Sequence, residues 1–271
     1  MPRDRLWTGR LASALLIAAL VAGGLPLASS HLVGQEATAD KPAQKSEEPK
    51  LPPALTEYKG REIAPYMSYL GADWLIRESR EREEACEKLL KILKVEPGAV
   101  ICDMGCGNGY YSLKLAKLVG EKGRVLGVDI QPEMLSLLKK RTAAEGVKNV
   151  EPILGTLIDP KLPKAGVDLI LLVDVYHEFS HPEHMLKAMR ASLKPEGQIV
   201  LVEFRLEDPT VPIKLLHKMS QKQIMKEIPP NGYKLVRQHD DLPWQHVMFF
   251  ARDDAKTPEI PLREEKERKE R

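Results

Sequence analysis

The run His177-Glu178-Phe179-Ser180-His181 sets two histidines four positions apart, with a glutamate after the first. On a helix that spacing puts both imidazoles on one face, where they can hold zinc while the glutamate polarises a metal-bound water. The chemistry would be hydrolysis. It requires a helix through the whole motif, and the flanks predict otherwise. Residues 167–175 (VDLILLVDV) form a short apolar run of the kind that becomes a buried strand. Pro182 pushes His181 out of helical geometry, and a helix that opens at Pro182 and runs through PEHMLKAMRASL suits the flanks better. His177 and Glu178 then fall in a loop just past a strand end. There Tyr176, His177 and Glu178 are candidate catalytic residues, His177 as general base and Glu178 as the group that orients it. The competing reading is that the pair caps the helix or bonds to loop backbone.

A second group of residues fit for chemistry lies upstream. CDMGCGNGYY places Asp103, Gly105, Gly107 and Gly109 at alternate positions between an apolar run and a helical pattern. Glycines there permit a tight turn and let backbone amides close on a ligand at a helix N-terminus. Dinucleotide enzymes use a similar turn, so the glycines alone do not choose the ligand. Two acids do. Asp103 precedes the first glycine, where it would repel a pyrophosphate but can pair with an ammonium group. Asp129 ends the next apolar run, where a carboxylate can accept both hydroxyls of a ribose. Together they suit a ligand with an amino-acid end, a ribose and no phosphate.

These residues need elements to hold them, and the apolar patterning supplies a regular order. Residues 99–104 (AVICDM), 123–130 (GRVLGVDI), 149–155 (NVEPILG), 167–175 and 197–204 (GQIVLVEF) are expected strands. Helical patterns fall among them at residues 110–120, 132–146 and from Pro182 onward. Such alternation predicts parallel strands joined by right-handed crossovers, the doubly wound α/β arrangement. After Phe204 the rhythm changes. Residues 212–227 read as a helix, and residues 233–239 and 244–253 lie too close together for a crossover, so they pair as an antiparallel hairpin. The expected fold is a seven-stranded, mostly parallel sheet with a C-terminal antiparallel hairpin, spanning residues 57–253.

In open sheets of this kind ligands bind beyond the carboxyl ends of the strands. That edge gathers Asp174 through Glu178 after the fourth strand and Glu203 after the fifth. Upstream, Tyr66, Met67, Tyr69 and Trp74 can form an aromatic lid or simply pack, and the charges at residues 77–84 read as a solvated face.

With these motifs in this order, the sequence resembles the class I S-adenosylmethionine-dependent methyltransferases over residues 60–252. The family's Asp-x-Gly-x-Gly-x-Gly motif is matched by Asp103, Gly105, Gly107 and Gly109, with Cys106 inside the loop. The resemblance implies a Rossmann-like methyltransferase fold and S-adenosyl-L-methionine as cofactor. It implies that the glycine loop holds the methionine part, that Asp129 holds the ribose and that Ile130 flanks the adenine. Thr156 and Leu157 match the adenine region more loosely, and Asp174 falls in the stretch that lines cofactor and substrate. The implied activity is methyl transfer to a small-molecule acceptor, with a non-catalytic cofactor-binding protein as the alternative. Catechol-type members place an Asp-Asn pair on this edge, and no such pair follows the fifth strand. His177, Glu178, Glu203, His217 and His246 can ligate metals, but they come from scattered elements, and no metal is expected.

The remaining features bound the setting. Forty-one basic against 39 acidic residues leave a net charge of +2, which gives no electrostatic case for nucleic acid. Cys86, Cys102 and Cys106 are too few for a disulfide framework and are expected to pack as small apolar residues. Residues 1–30 combine Arg3, Arg5 and Arg10 with a short apolar core and small residues at Ala28 and Ser30. They read as a secretory signal peptide, with an uncleaved membrane anchor as the alternative, and either puts the domain outside the cytoplasm. Residues 31–56 read as a disordered linker and residues 254–271 as a charged, solvated tail.

Overall fold

Neither face of the apolar runs can be left in water, so they assemble into one sheet covered on both sides. Along the fourth run Ile170 and Leu172 pack into one cluster while Leu169 and Leu171 pack into the other. The computed structural model describes residues 51–263. A two-residue hairpin, β1 (Glu57–Tyr58) and β2 (Arg61–Glu62), precedes the main sheet. The sheet is built from β3 (Val100–Met104), β4 (Arg124–Asp129), β5 (Val150–Leu154), β6 (Val167–Val173), β7 (Leu193–Arg205), β8 (Lys218–Met219), β9 (Tyr233–His239) and β10 (Gln245–Arg252). Its order is β5-β4-β3-β6-β7-β10-β9, with β8 beside β7. β3 to β7 are parallel, and β10 runs antiparallel to both β7 and β9.

The helices are α1 (Arg80–Glu84), α2 (Cys86–Leu93), α3 (Tyr110–Val119), α4 (Pro132–Ala144), α5 (Pro182–Ser192) and α6 (Gln221–Glu227). Leu89, Leu90 and Leu93 of α2 and Leu115 and Val119 of α3 cover one face. Met185, Leu186 and Met189 of α5 and Ile224 of α6 cover the other. Each such side chain, fully buried, contributes about 1.5–3 kcal/mol. All three cysteines are free and buried.

Several expectations are corrected. The helix expected over residues 212–227 begins only at Gln221, where Ser220 caps it by accepting from Gln223 N at 3.0 Å. Ahead of the cap, Lys218 and Met219 pair with Phe204 and Arg205, which adds an eighth, two-residue strand to the expected seven. The HEFSH run is not helical either. Tyr176–Glu178 makes a single tight turn, and His181 precedes α5 with φ −134°. His181 Nε2 bonds Pro52 O at 2.8 Å, away from His177, so the zinc-helix reading fails on geometry.

The domain also extends past its expected limits. Leu55 N donates to Ser180 O at 3.0 Å, Ile260 N to Leu235 O at 2.8 Å, and Lys256 N to Glu196 Oε1 at 3.0 Å. The stretches 51–56 and 254–263, read from sequence as linker and tail, therefore have backbone groups bonded to the body. The signal or anchor over 1–30, residues 31–50 of the linker and the end of the tail lie outside the described residues.

Candidate active site

The carboxyl ends of β3, β4, β6 and β7 open onto a cavity of about 590 Å³. Its floor starts with the turn after β3. Gly105 (φ 65°) and Gly107 (φ 53°) sit in left-handed conformations, where a side chain is strained. A Cβ at Gly105 would also fall 2.7 Å from Val175 Cγ2, and one at Gly107 2.5 Å from Leu75 Cδ1. Asp129 ends β4 and clamps the loop, accepting from Gly107 N through Oδ2 and from Gln131 N through Oδ1, both at 2.9 Å. Burial raises the Asp129 carboxyl, and these N–H donors hold it back. Ile130, Thr156 and Leu157 line the same end of the cavity.

Three residues of the glycine motif do not line it. Gly109 caps α3, and a Cβ there would strike Leu138, so it lets α3 approach α4 closely. Cys106 packs beneath the loop with Leu135 and Leu138. Asp103 turns behind the wall and accepts from Ser112 Oγ at 2.5 Å. Burial pushes the Asp103 carboxyl up to about 6, against the Ser112 hydroxyl and the Arg80 charge. A carboxyl raised in the fold stabilises fully only below its unfolded value of 3.8, and that contribution is lost as pH rises through about 6. Asp103→Asn keeps an acceptor for Ser112 and cannot ionise. It is expected to gain about 3 kcal/mol over wild type at pH 7, with the gap closing below about pH 4. Urea denaturation at both pH values checks this, and equal stability at pH 7 would mean that the carboxylate is satisfied where it lies.

The loop after β6 carries the second set. Asp174 (φ 55°) lines the cavity, and its Oδ2 accepts from Gln245 Nε2 at 2.7 Å while its buried Oδ1 has no hydrogen-bond partner among the described residues. Burial and the nearby Glu84 and Glu203 carboxylates push its carboxyl well above the usual range. Tyr176 turns into the core, fully buried, and its hydroxyl donates to Glu227 Oε2 at 2.9 Å. Arg61 grips the same glutamate and donates to His177 O at 2.9 Å, so this network sets the turn rather than the chemistry.

His177 lines the cavity, and its Nδ1 lies 2.7 Å from Glu203 Oε2. Glu203 also accepts from Tyr176 N at 3.0 Å, so it is anchored from β7 before it meets the imidazole. Burial lowers the His177 value, but the Glu203 charge and hydrogen bond outweigh it, and the imidazole is raised overall. The orienting carboxylate is thus Glu203. Glu178, expected in that role, does not bond His177 Nδ1: its Oε1 accepts from Met67 N at 3.2 Å, and burial pushes it up to about 7. His177 Nε2 faces His217 Nδ1 at 3.2 Å.

The segment ahead of the sheet forms one wall. Tyr66, Met67, Trp74 and Leu75 line the cavity, while Tyr69 lies outside it and donates its N–H to Gln131 Oε1 at 2.9 Å. Gln131 Nε2 returns a bond to Met67 O at 2.8 Å, which fastens this wall to the start of α4. The charges at 77–84, expected to be solvated, include Arg80 at 5% and Glu84 at 1% exposure. Arg80 Nε meets Glu84 Oε2 at 2.8 Å, and Arg77 Nη2 meets Glu84 Oε1 at 2.6 Å. The Arg80 guanidinium also lies 4.3 Å from the Tyr110 ring centroid.

A family model described as a methyltransferase domain matches residues 95–254. The chain belongs to the class I S-adenosylmethionine-dependent methyltransferases. This methyltransferase is similar to the crystal structure of a SAM dependent methyltransferase from Aquifex aeolicus, with TM-score 0.65 and 25% identity over 68% of this chain and 98% of that one. A protein from Pyrococcus horikoshii OT3 shares the fold at TM-score 0.54 and 18% identity, over 65% and 92% of the two chains. The methyltransferase is 30% identical over 126 residues to a demethylmenaquinone methyltransferase of Bacillus cereus, a match over 46% of this chain and 53% of the relative. It spans about half the length of the curated relatives it matches. Two parts of the methyltransferase's cavity wall carried no sequence signal as site residues. Arg80 and Glu84 stand in a five-residue helix too short to show a buried face. Lys214 and Ile213 lie in irregular chain that the apolar pattern disguises as helix.

Proposed function

We propose that this enzyme moves a methyl group from S-adenosylmethionine to a small, largely apolar molecule with an ionisable hydroxyl, using His177 as base. The observation that carries this reading is the His177–Glu203 contact of 2.7 Å at the wall of the cavity. With Nδ1–H donated to the carboxylate, Nε2 is left as an acceptor that faces His217 Nδ1 at 3.2 Å. The acceptor's hydroxyl takes the place of His217 at that lone pair to hand over its proton, and Glu203 stabilises the imidazolium that forms. The acceptor's oxygen, or a carbon conjugated to it, then becomes nucleophilic. Phe179, Met185, Phe204 and Ile213 line the cavity and favour an apolar acceptor body. The curated relatives are named for a demethylmenaquinone acceptor, which agrees with a small molecule of this kind.

The residues present fit the cofactor. Gly105 and Gly107 line the cavity without side chains of their own, so the loop's backbone can approach the methionine part closely. Asp174 Oδ1, buried and unpartnered among the described residues, suits an ammonium group. Asp129 accepts from Gly107 N through Oδ2 and from Gln131 N through Oδ1, and a carboxylate with these partners still has lone pairs for a ribose hydroxyl. Ile130 and Leu157 would flank the adenine. When bound, the cofactor supplies an electrophilic methyl on a positively charged sulfur. The chain's part is to hold the acceptor in line, exclude water and take the proton at His177 Nε2.

Two measurements test the reading. Mass spectrometry of the enzyme with isotopically methyl-labelled cofactor and a panel of phenols, naphthols and enols should find a methylated product. Transfer only to amines or thiols would overturn the acceptor class. In calorimetry, Asp129→Ala is expected to weaken cofactor binding by about 1.5–3 kcal/mol, the worth of a charge-assisted hydrogen bond. Unchanged affinity would remove Asp129 from the cofactor's seat.

A further inference from the structure

Three potential ligand atoms converge where the proposed base stands. His177, Glu178 and His217 each offer one metal-ligating atom, and the three lie within 4.8 Å of one another. The two histidines arrive from different elements, the turn after β6 and the irregular chain before β8, which is why sequence spacing could not join them. His177 Nε2 and His217 Nδ1 stand 3.2 Å apart, with the two rings at 83°. Two nitrogens bound tetrahedrally at 2.0–2.1 Å from one zinc ion would stand about 3.3 Å apart.

The surroundings also suit an ion. A ligating imidazole needs its other nitrogen held by an acceptor, and Glu203 Oε2 holds His177 Nδ1 at 2.7 Å. Glu178 has one oxygen fixed by Met67 N, and its other oxygen has no hydrogen bond among the described residues. All three ligands line the cavity, so an ion has a way in. Lys214, the one lysine lining the cavity among the described residues, is exposed to solvent, so its charge opposes an ion only weakly. Imidazole and carboxylate donors together suit zinc and its neighbours in the first transition row rather than calcium or magnesium.

We propose that His177 Nε2, His217 Nδ1 and a Glu178 carboxylate oxygen form a three-ligand site for a divalent transition-metal ion, and that the bound ion closes the active site to base catalysis. The second half rests on the function proposed above. The ion takes the lone pair that would receive the acceptor's proton, so binding of metal and removal of that proton exclude each other.

Cobalt(II) reports the site without turnover. Titrated into the full chain after dialysis against chelator, it should bind at about one equivalent, give the intense visible absorption of a tetrahedral ion and be displaced by zinc. His217→Ala and Glu178→Gln should each weaken binding by about 10-fold or more. His181→Ala, which changes the other histidine of the HEFSH run, should leave binding unchanged. Absence of saturable binding, or equal binding in His217→Ala, would overturn the site. In turnover, the chelated enzyme should be active and zinc should inhibit it at the concentration that fills the site. If chelation abolishes methyl transfer and zinc restores it, the ligands stand, while the shut-off and the base role of His177 both fall.

Discussion

His177→Ala is expected to lower turnover by about 10²–10⁴, the usual worth of a positioned base. Cofactor affinity should stay nearly intact, because the groups proposed to seat the cofactor lie on the β3, β4 and β6 loops and none bonds the imidazole. The loss belongs in kcat rather than KM if His177 acts only on the reacting proton. Truncation also leaves Glu203 Oε2 buried without the imidazole, although Tyr176 N still holds Oε1. Some loss of stability must therefore accompany the loss of rate, and a thermal midpoint on the same variant keeps the two apart. Glu203→Gln supplies the second arm. Its single carbonyl oxygen can accept from Tyr176 N or from His177 Nδ1 but not from both, and it cannot stabilise an imidazolium, so it should lose rate together with some stability. Full turnover in His177→Ala would reduce His177 to a structural residue and end the base assignment.

Arg80→Met should destabilise the fold by about 3 kcal/mol, the low end for breaking a buried ion pair. Glu84 is 1% exposed and has two guanidinium partners. Removing Arg80 leaves Arg77 on one oxygen and strips the other, so the cost stays below that of a wholly abandoned charge. Contacts of the guanidinium with the Tyr110 and Tyr111 rings are lost as well. Burial works against the Arg80 charge, but Glu84 and its hydrogen bond outweigh it and hold the guanidinium protonated. The double variant Arg80→Met with Glu84→Gln should recover part of the loss, since the charge that suffers most is then gone. Chemical denaturation measures all three proteins. A cost under about 1 kcal/mol for Arg80→Met would mean that Arg77 alone satisfies Glu84. Because Arg80 and Glu84 line the cavity beside Asp174, the same variants also show whether this pair shapes the cofactor's amino-acid end.

What the sequence determined by itself was the sheet, the hairpin and the location of the site. Those rest on local regularities: apolar runs of strand length, the proline that opens α5, and glycines where the chain must turn sharply. Each leaves its mark within a few residues of where it acts, and Gly105, Gly107 and Asp129 stand at the cavity as their positions imply. The tertiary structure alone decided the assignments within the site. Tyr176 and His177 are adjacent, yet a single tight turn sends one ring into the core and the other to the cavity. Glu178 neighbours His177 in the chain, but the carboxylate that reaches its Nδ1 belongs to Glu203, 26 residues away on the next strand. Asp103 matches its motif by letter and still turns away to Ser112. His217 meets His177 across 40 residues, from chain whose pattern imitates a helix. Which way a side chain faces, and what it meets, depends on contacts between elements far apart in sequence, and spacing along the chain carries no record of them.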